Sequence, residues 1–339
     1  MDSEGRLVLV TGTNGFVGSC LTRDLLEKGY RVRAMVRTTS KLAVLDGLEV
    51  EYVFGEMTDP STFSPALEGI GTVFHAAGVT KARDPNDYYR VNTDGTEALL
   101  RACLDITSVE RFVYISSQAA TGPSEGDRPR KEDDPPNPFG VYGQSKLDGE
   151  AVCWEAAGRG LGVTVVRPCA VYGPREREGL SLFRMVNRRI IPTVLPNTCL
   201  SLIHVVDLVD LIERAGRIDV AEGRTYFAAD PTPYWMESVV RIIGRVLGRR
   251  VLFIPVAPQL LRPVATINEL LLKVGVGVQF LTRERIREAE ERYWSLDVSR
   301  AQEELGWRPM RTLEERVRET AEWYIDNGWL KSGFRTGTN

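Results

Sequence analysis

The chain has 339 residues, 43% hydrophobic and 26% charged, which fits a globular protein of one large or two smaller domains. A net charge of −3 gives no electrostatic case for nucleic acid, and two distant histidines, His75 and His204, lack metal-ligand spacing, so no metal is expected. Five scattered cysteines (Cys20, Cys103, Cys153, Cys169, Cys199) form no CxxC pair, and the residues up to Arg6 carry no signal-peptide pattern, so a reduced, cytoplasmic setting is the expectation.

Leu7-Val8-Leu9-Val10 is a continuous apolar run, as in a strand buried on both faces of a parallel sheet. A glycine-rich turn, Thr11-Gly12-Thr13-Asn14-Gly15-Phe16-Val17-Gly18, follows. It opens a helical stretch over about residues 16–28, which Gly29 ends. Residues 30–36 read as the second strand, with Val32, Ala34 and Val36 on one face. Further strands are predicted at 50–54, 72–75, 112–115 and 163–166, and helices at 60–67, 86–104 and 142–157. This alternation predicts an α/β protein built on a Rossmann-type doubly wound parallel sheet, with ligand at the carboxyl ends of the strands. Segment 121–138, rich in Pro, Gly and charge, is expected to be a surface excursion beside the site.

After about residue 168 the pattern loosens. Strand-like pieces recur at 200–205 and 225–228, and helical ones at 235–247, 259–274, 282–292 and 312–327. The reading is a dinucleotide-binding domain over 1–167, a mainly substrate-binding region over 168–333 that returns some segments to the sheet, and a tail at 334–339. Segment 256–280 is rich in Leu and Val, but Arg262, Pro263, Asn268, Glu269 and Lys273 interrupt it, so it falls short of the roughly 20 apolar residues of a spanning helix. A lid or packing segment over an apolar pocket is the preferred reading. Docking on a membrane surface and a partner interface are the alternatives.

The glycine turn sits between a strand and a helix, the context of a dinucleotide site. Gly12 permits the tight turn, Gly15 lets backbone approach a pyrophosphate, and Gly18 lets helix and strand pack closely. The helix N-terminus adds amide donors for phosphate. Thr13, Asn14, Phe16 and Val17 belong to the same cofactor-binding turn. Its plain alternative is a structural turn with no ligand. Many NAD sites carry an acid after the second strand to bind the ribose 2′-OH. Here Arg37 stands there, followed by Thr38, Thr39, Ser40 and Lys41. A guanidinium with hydroxyl and ammonium donors suits a 2′-phosphate, so NADP is preferred and NAD is the alternative, with Arg37 then stacked on the adenine. Ala76, Ala77 and Gly78 are small enough to let backbone approach a ligand. His75 reads as a packed strand-end residue, Asn92 as structural and His204 as a core histidine.

Ser117 stands just past the strand at 112–115, placed to hold a substrate oxygen. Ser116 competes for that role, since strand alternation points the two in opposite directions; simple capping of the strand end is the plain alternative. Tyr142 and Lys146 are four residues apart, on one face of a helix. An ammonium beside a phenol favours the phenolate, which makes a tyrosine a usable general acid or base.

Together these residues resemble the extended short-chain dehydrogenase/reductase family, within the NAD-dependent epimerase/dehydratase superfamily. The likeness covers nearly the whole chain. It rests on the glycine turn, on HAAG at residues 75–78, VNTDGT at 91–96, ISS at 115–117, YGQSK at 142–146 and RPCAVYGP at 167–174. The resemblance implies Ser117, Tyr142 and Lys146 as the catalytic triad. It places Glu56 and Met57 at the adenine contact, where Asp is commoner, and Pro168 beside the nicotinamide. Nucleotide-sugar members usually carry an arginine just before a strand matching 201–205. This chain has Asn197-Thr198-Cys199-Leu200-Ser201 there. It looks closer to the 3β-hydroxysteroid dehydrogenase-like and dihydroflavonol reductase-like branches. The implied activity is NAD(P)-dependent interconversion of a secondary alcohol and a ketone on an apolar, steroid- or lipid-like substrate. A nucleotide-sugar epimerase or dehydratase is the alternative. A non-catalytic dinucleotide-binding sensor or assembly subunit is a second, though such a protein has no need to keep the triad. Relatives commonly dimerise through helices matching 86–104 and 142–157, so a homodimer is expected.

Overall fold

The computed structural model describes residues 5–193, 198–256 and 290–331, with Pro263, Ala265, Thr266, Asn268 and Arg287. The first half runs β1 (Leu7–Thr11), α1 (Phe16–Glu27), β2 (Arg31–Val36), β3 (Val50–Phe54), α2 (Phe63–Leu67), β4 (Thr72–His75), α3 (Asn86–Tyr89), α4 (Gly95–Leu104), β5 (Arg111–Ile115), α5 (Gly140–Ala157) and β6 (Gly162–Pro168). The second half runs β7 (Ala170–Tyr172), α6 (Gly179–Asn187), β8 (Ile190–Thr193), β9 (Cys199–Leu200), β10 (Leu202–His204), α7 (Val205–Arg217), β11 (Arg224–Ala228), β12 (Tyr234–Trp235), α8 (Met236–Val246) and β13 (Leu252–Pro255). It continues with β14 (Tyr293–Trp294), α9 (Ser299–Leu305) and α10 (Leu313–Asp326). The apolar segment 256–280 and the helical readings at 259–274 and 282–292 lie, apart from isolated positions, outside the described residues, as does the tail.

Seven parallel strands form the main sheet in the order β3-β2-β1-β4-β5-β6-β11. Its apolar runs follow from burial on both faces. Val8 and Val10 pack with Leu21 and Leu25 of α1 and with Leu208, Leu211 and Ile212 of α7. Leu9, between them, packs on the other face with Phe63 of α2, Leu99 of α4 and Cys153 of α5. Strand order reverses between β1 and β4, so a crevice opens above their carboxyl ends. The helix expected over 86–104 is continuous but contains a π turn at Arg90–Asp94 between α3 and α4. β11, from the second region, pairs with β6 from Arg224↔Thr164 to Ala228↔Pro168 and extends the sheet.

The remaining strands are short. β7 pairs with β10, β8 with β13, and β9 lies between β12 and β14. They lie around a third apolar cluster from α6, α8 and α10, with Phe183, Val240, Ile243 and Tyr324 inside it. Segment 121–138 exposes residues 125–128 but is tied down at both shoulders. Ser124 and Arg130 donate backbone amides to Tyr293 and Ser295. The buried Arg130 guanidinium donates to Thr121 Oγ1 and to the carbonyls of Pro123 and Pro135.

Helix α10 is held to α7 by a buried bidentate pair. Arg316 donates from Nε and Nη2 to Asp207 at 3.0 and 2.8 Å. Thr312 and Glu315 close a capping box at the α10 N-terminus. Removing one partner of a buried pair strands the other charge and costs about 3–5 kcal/mol. Arg316→Ala should therefore lower the unfolding free energy by about that much in urea titrations. Arg241→Ala, which breaks an exposed pair with Glu237, should shift it by less than about 1 kcal/mol.

Candidate active site

The glycine turn has the shape its residues predict. Gly12 sits at φ +71°, and a Cβ there would lie 2.6 Å from the Ala77 amide nitrogen. A Cβ on Gly18 would lie 2.2 Å from the Gly12 carbonyl oxygen. Only glycine at both positions lets α1 start this close to the ends of β1 and β4. No side chain among the described residues caps the N-terminus of α1. The buried Thr13 hydroxyl has no protein partner. Free amides, an orphan hydroxyl and a bare glycine cradle fit a pyrophosphate at this point.

Beneath the turn, His75 is fully buried between two threonines. Its Nδ1 meets Thr11 Oγ1 at 2.7 Å and its Nε2 meets Thr96 Oγ1 at 3.0 Å. Thr96 donates its own proton to the Asn92 carbonyl, so Nε2 carries the ring hydrogen and Nδ1 accepts from Thr11. Thr11 Oγ1 in turn accepts the Ala77 amide. Burial, helped by the Lys146 charge, holds the imidazole pKa down to about 3. His75 stays neutral and fixes the Ala76-Ala77-Gly78 turn, a packed role rather than a proton-transfer one.

Arg37 lies exposed just past β2. Its amide donates to Ser40 Oγ at 3.1 Å, and the Ser40 amide returns to the Arg37 carbonyl at 2.9 Å, a tight turn that brings Lys41 near. Past β3, Glu56 is exposed and Met57 is buried, its carbonyl packed on Gly95. Pro168 ends β6, buried beside Ala228.

The two serines part company as alternation requires. Ser116 donates to Glu150, whose carboxylate is clamped by Arg167 at 2.9 and 2.6 Å. Ser117 Oγ accepts the Ala119 amide at 3.1 Å, which leaves its proton to give. The capping role therefore leaves the hydroxyl proton available to an acceptor. Tyr142 is half-buried on α5, its ring 6.0 Å from that of Tyr88. Lys146, one turn on, is buried. Its ammonium donates to the Ile115 carbonyl at 2.7 Å and lies 4.2 Å from the Tyr114 ring centroid. It also lies 3.8 Å from where a Gly78 Cβ would be, so the small-residue turn after β4 runs beside the ammonium.

The sequence reading missed what brings α5 this close. A Cβ on Gly143 would lie 2.3 Å from the Ala119 carbonyl oxygen, and one on Gly149 would lie 2.3 Å from the Tyr114 hydroxyl. The signal was present as two glycines six apart inside a helix, where glycine is unfavourable without a packing reason. Asn92 was read as structural, and its buried amide does hold the site's frame. Within the π turn it accepts the Val79 amide and donates to the Val79 carbonyl and Ser145 Oγ. It thereby ties the β4 loop to the Tyr142 helix. Lys81 and Glu178 were also missed. They pair at 2.6 Å between the loop after β4 and the N-terminus of α6. Among the described residues there is no cluster of three or more potential metal ligands, and no helix is long and apolar enough to cross a membrane.

The profile of the NAD dependent epimerase/dehydratase family matches residues 8–226. A Synechocystis sp. protein provisionally named dihydroflavonol 4-reductase is 29% identical over 337 residues, covering 95% of this chain and 96% of that one. A ceramide reductase of Caulobacter vibrioides is 33% identical over 207 residues, 61% of this chain and 59% of that one. A UDP-glucose 4-epimerase of Vibrio cholerae is 29% identical over 333 residues, 94% and 95% of the two chains.

Burial lowers the Lys146 pKa from 10.5 to about 8. In that window the unfolded chain holds a proton that the folded chain has lost, so the Lys146 contribution to stability rises with pH. Wild type minus Lys146→Met unfolding free energy should climb between about pH 8 and pH 10. A flat difference in paired urea titrations would show that the ammonium is not desolvated.

Proposed function

The chain belongs to the NAD dependent epimerase/dehydratase family, and from that membership we propose that it interconverts a secondary alcohol and a ketone on an apolar, steroid- or lipid-like molecule. It is an NAD-dependent oxidoreductase; the proposal concerns substrate class, residue roles and cofactor preference. The observation that carries it is a half-buried Tyr142 one helical turn before a buried Lys146, whose ammonium is held at the carboxyl edge of the sheet by the Ile115 carbonyl. The nicotinamide, when bound, would supply the hydride chemistry at the carbinol carbon. Tyr142 gives the proton to the carbonyl oxygen on reduction and takes it on oxidation. Ser117 donates its free hydroxyl proton to that oxygen. Lys146 would stabilise the phenolate charge of Tyr142 and would bind the nicotinamide ribose.

Gly12, Thr13, Gly15 and the α1 amides would hold the pyrophosphate. Arg37 and Lys41 would hold the 2′-phosphate of NADP, the preferred cofactor in this reading. Leu200, half-buried in β9, supports an apolar substrate, because a diphosphate there would go without the cation that nucleotide-sugar members place nearby. The ceramide reductase relative supports the same class. The UDP-glucose 4-epimerase relative favours the second reading, in which the same triad acts on a nucleotide sugar. Outward positions of α4 and α5 would form the homodimer contact.

Tyr142→Phe should cut turnover by about 100- to 10,000-fold while nucleotide affinity by calorimetry stays unchanged. Substrate class is read from thermal shift with cofactor present, then from absorbance of reduced nicotinamide. Apolar ketones or alcohols should stabilise and turn over. Response to UDP- or dTDP-sugars alone would replace this reading with the epimerase one.

Arg37→Asp should weaken NADP binding about 10- to 100-fold, the worth of a charge-assisted contact of roughly 1.5–3 kcal/mol. NAD binding should be kept. Equal NADP affinity in calorimetry would remove Arg37 from the 2′-phosphate site.

A further inference from the structure

Strands β8 and β13 form a two-stranded parallel ribbon that is apolar on both faces. Ile191 is buried and Phe253 packs inward on the α6–α8–α10 cluster. The opposite face carries Ile190, Leu252 and Ile254, which are 51%, 62% and 42% exposed. Ile190 stands directly across from Leu252, and Ile254 is two residues on, so the three share one outward face. Branched side chains repeated on the solvent face of so small a ribbon contribute nothing to the core.

The ribbon's own segments carry charge of one sign, although Glu237 and Glu314 from neighbouring positions pair with two of its arginines. Residues 184–193 and 241–256, which make the ribbon and its approaches, contain seven arginines and no acidic residue. Four are engaged. Arg184 donates to the Trp329 carbonyl, Arg241 pairs with Glu237, Arg245 with Glu314, and Arg249 donates to Asn187. Arg188, Arg189 and Arg250 are exposed and, among the described residues, have no carboxylate within ion-pair distance. Arg189 sits at φ +68°, a left-handed conformation that suits glycine and disfavours any side chain.

We propose that the β8–β13 face docks on a bilayer surface that contains anionic lipid. Ile190, Leu252 and Ile254 enter the headgroup boundary, and Arg188, Arg189 and Arg250 pair with lipid phosphates around them. A protein partner would need an apolar centre ringed by acids. A mixed bilayer presents both features over any footprint, and this match of apolar contact and charge favours it. The proposal is independent of which ketone or alcohol the active site takes.

The test is co-sedimentation of the full chain with vesicles of phosphatidylcholine alone and of phosphatidylcholine mixed with phosphatidylglycerol. Binding is expected to the mixed vesicles and to weaken at raised salt. Arg189→Gly should weaken it about fivefold, the worth of one basic residue near the surface. Because glycine relieves the backbone at that position, this loss cannot come from misfolding. The pair Leu252→Ser and Ile254→Ser, both at exposed sites, should weaken it further while the thermal midpoint holds. Failure to bind mixed vesicles, or binding that these variants leave unchanged, would overturn the proposal. So would light scattering in which the serine pair turns a wild-type dimer into a monomer, since the face would then belong to a second copy of the chain.

Discussion

The site depends on an ammonium buried where water cannot reach it. Lys146 loses hydration that few protein groups can replace, and the depressed pKa records that cost. What holds it is local. The Ile115 carbonyl at the end of β5 accepts one proton, and the Tyr114 ring lies beneath the charge. Glu150, one turn further along α5, adds negative potential, yet it is itself clamped by Arg167 and Ser116. The carboxylate therefore cannot swing over to neutralise the lysine. A full ion pair with Lys146 would quench the positive field beside α5.

That arrangement requires α5 to lie almost on top of the end of β5, and two glycines permit it. The docking in turn sets the turn that follows Ser117 against α5, because the Ala119 carbonyl in that turn is the surface on which Gly143 rests. Asn92 completes the frame from the far side through Val79 and Ser145. The π turn around it adds a residue to the helical repeat and turns the amide inward where a regular helix would carry it elsewhere. Glycine turn, small-residue turn and Tyr–Lys helix then converge on the point where strand order reverses.

Much of this was legible in the sequence because it rests on local rules. Leu7-Val8-Leu9-Val10 announced a strand covered on both faces, and the clusters on either side of Leu9 bear that out. Gly12 announced a tight turn and Gly18 close helix–strand packing, and ideal Cβ atoms at both positions would collide with backbone. His75 read as a packed residue and lies in a closed chain of hydroxyls. What stayed hidden depends on pairing across long separations. Nothing near residue 130 says that Arg130 will anchor its own loop against residues 293–297. The match of Arg316 with Asp207 spans a hundred positions. Single strand-like pieces at 200–205 resolve into β9 and β10, which join different small sheets, because a two-residue strand takes its partner from tertiary context.

The position of β11 bears on how the chain is made. Its Ala228 pairs with Pro168 of β6, so 60 residues of the second region must follow β6 before the sheet has its last strand. At translation rates of roughly 5–20 residues per second, that interval is about 3–12 seconds. Throughout it the fully buried strand Gly162–Pro168 has an open edge, hydrogen-bonding groups bare, in a nascent chain that already holds every residue of the Ser117–Tyr142–Lys146 set. Completion of the sheet is therefore a late event in biosynthesis.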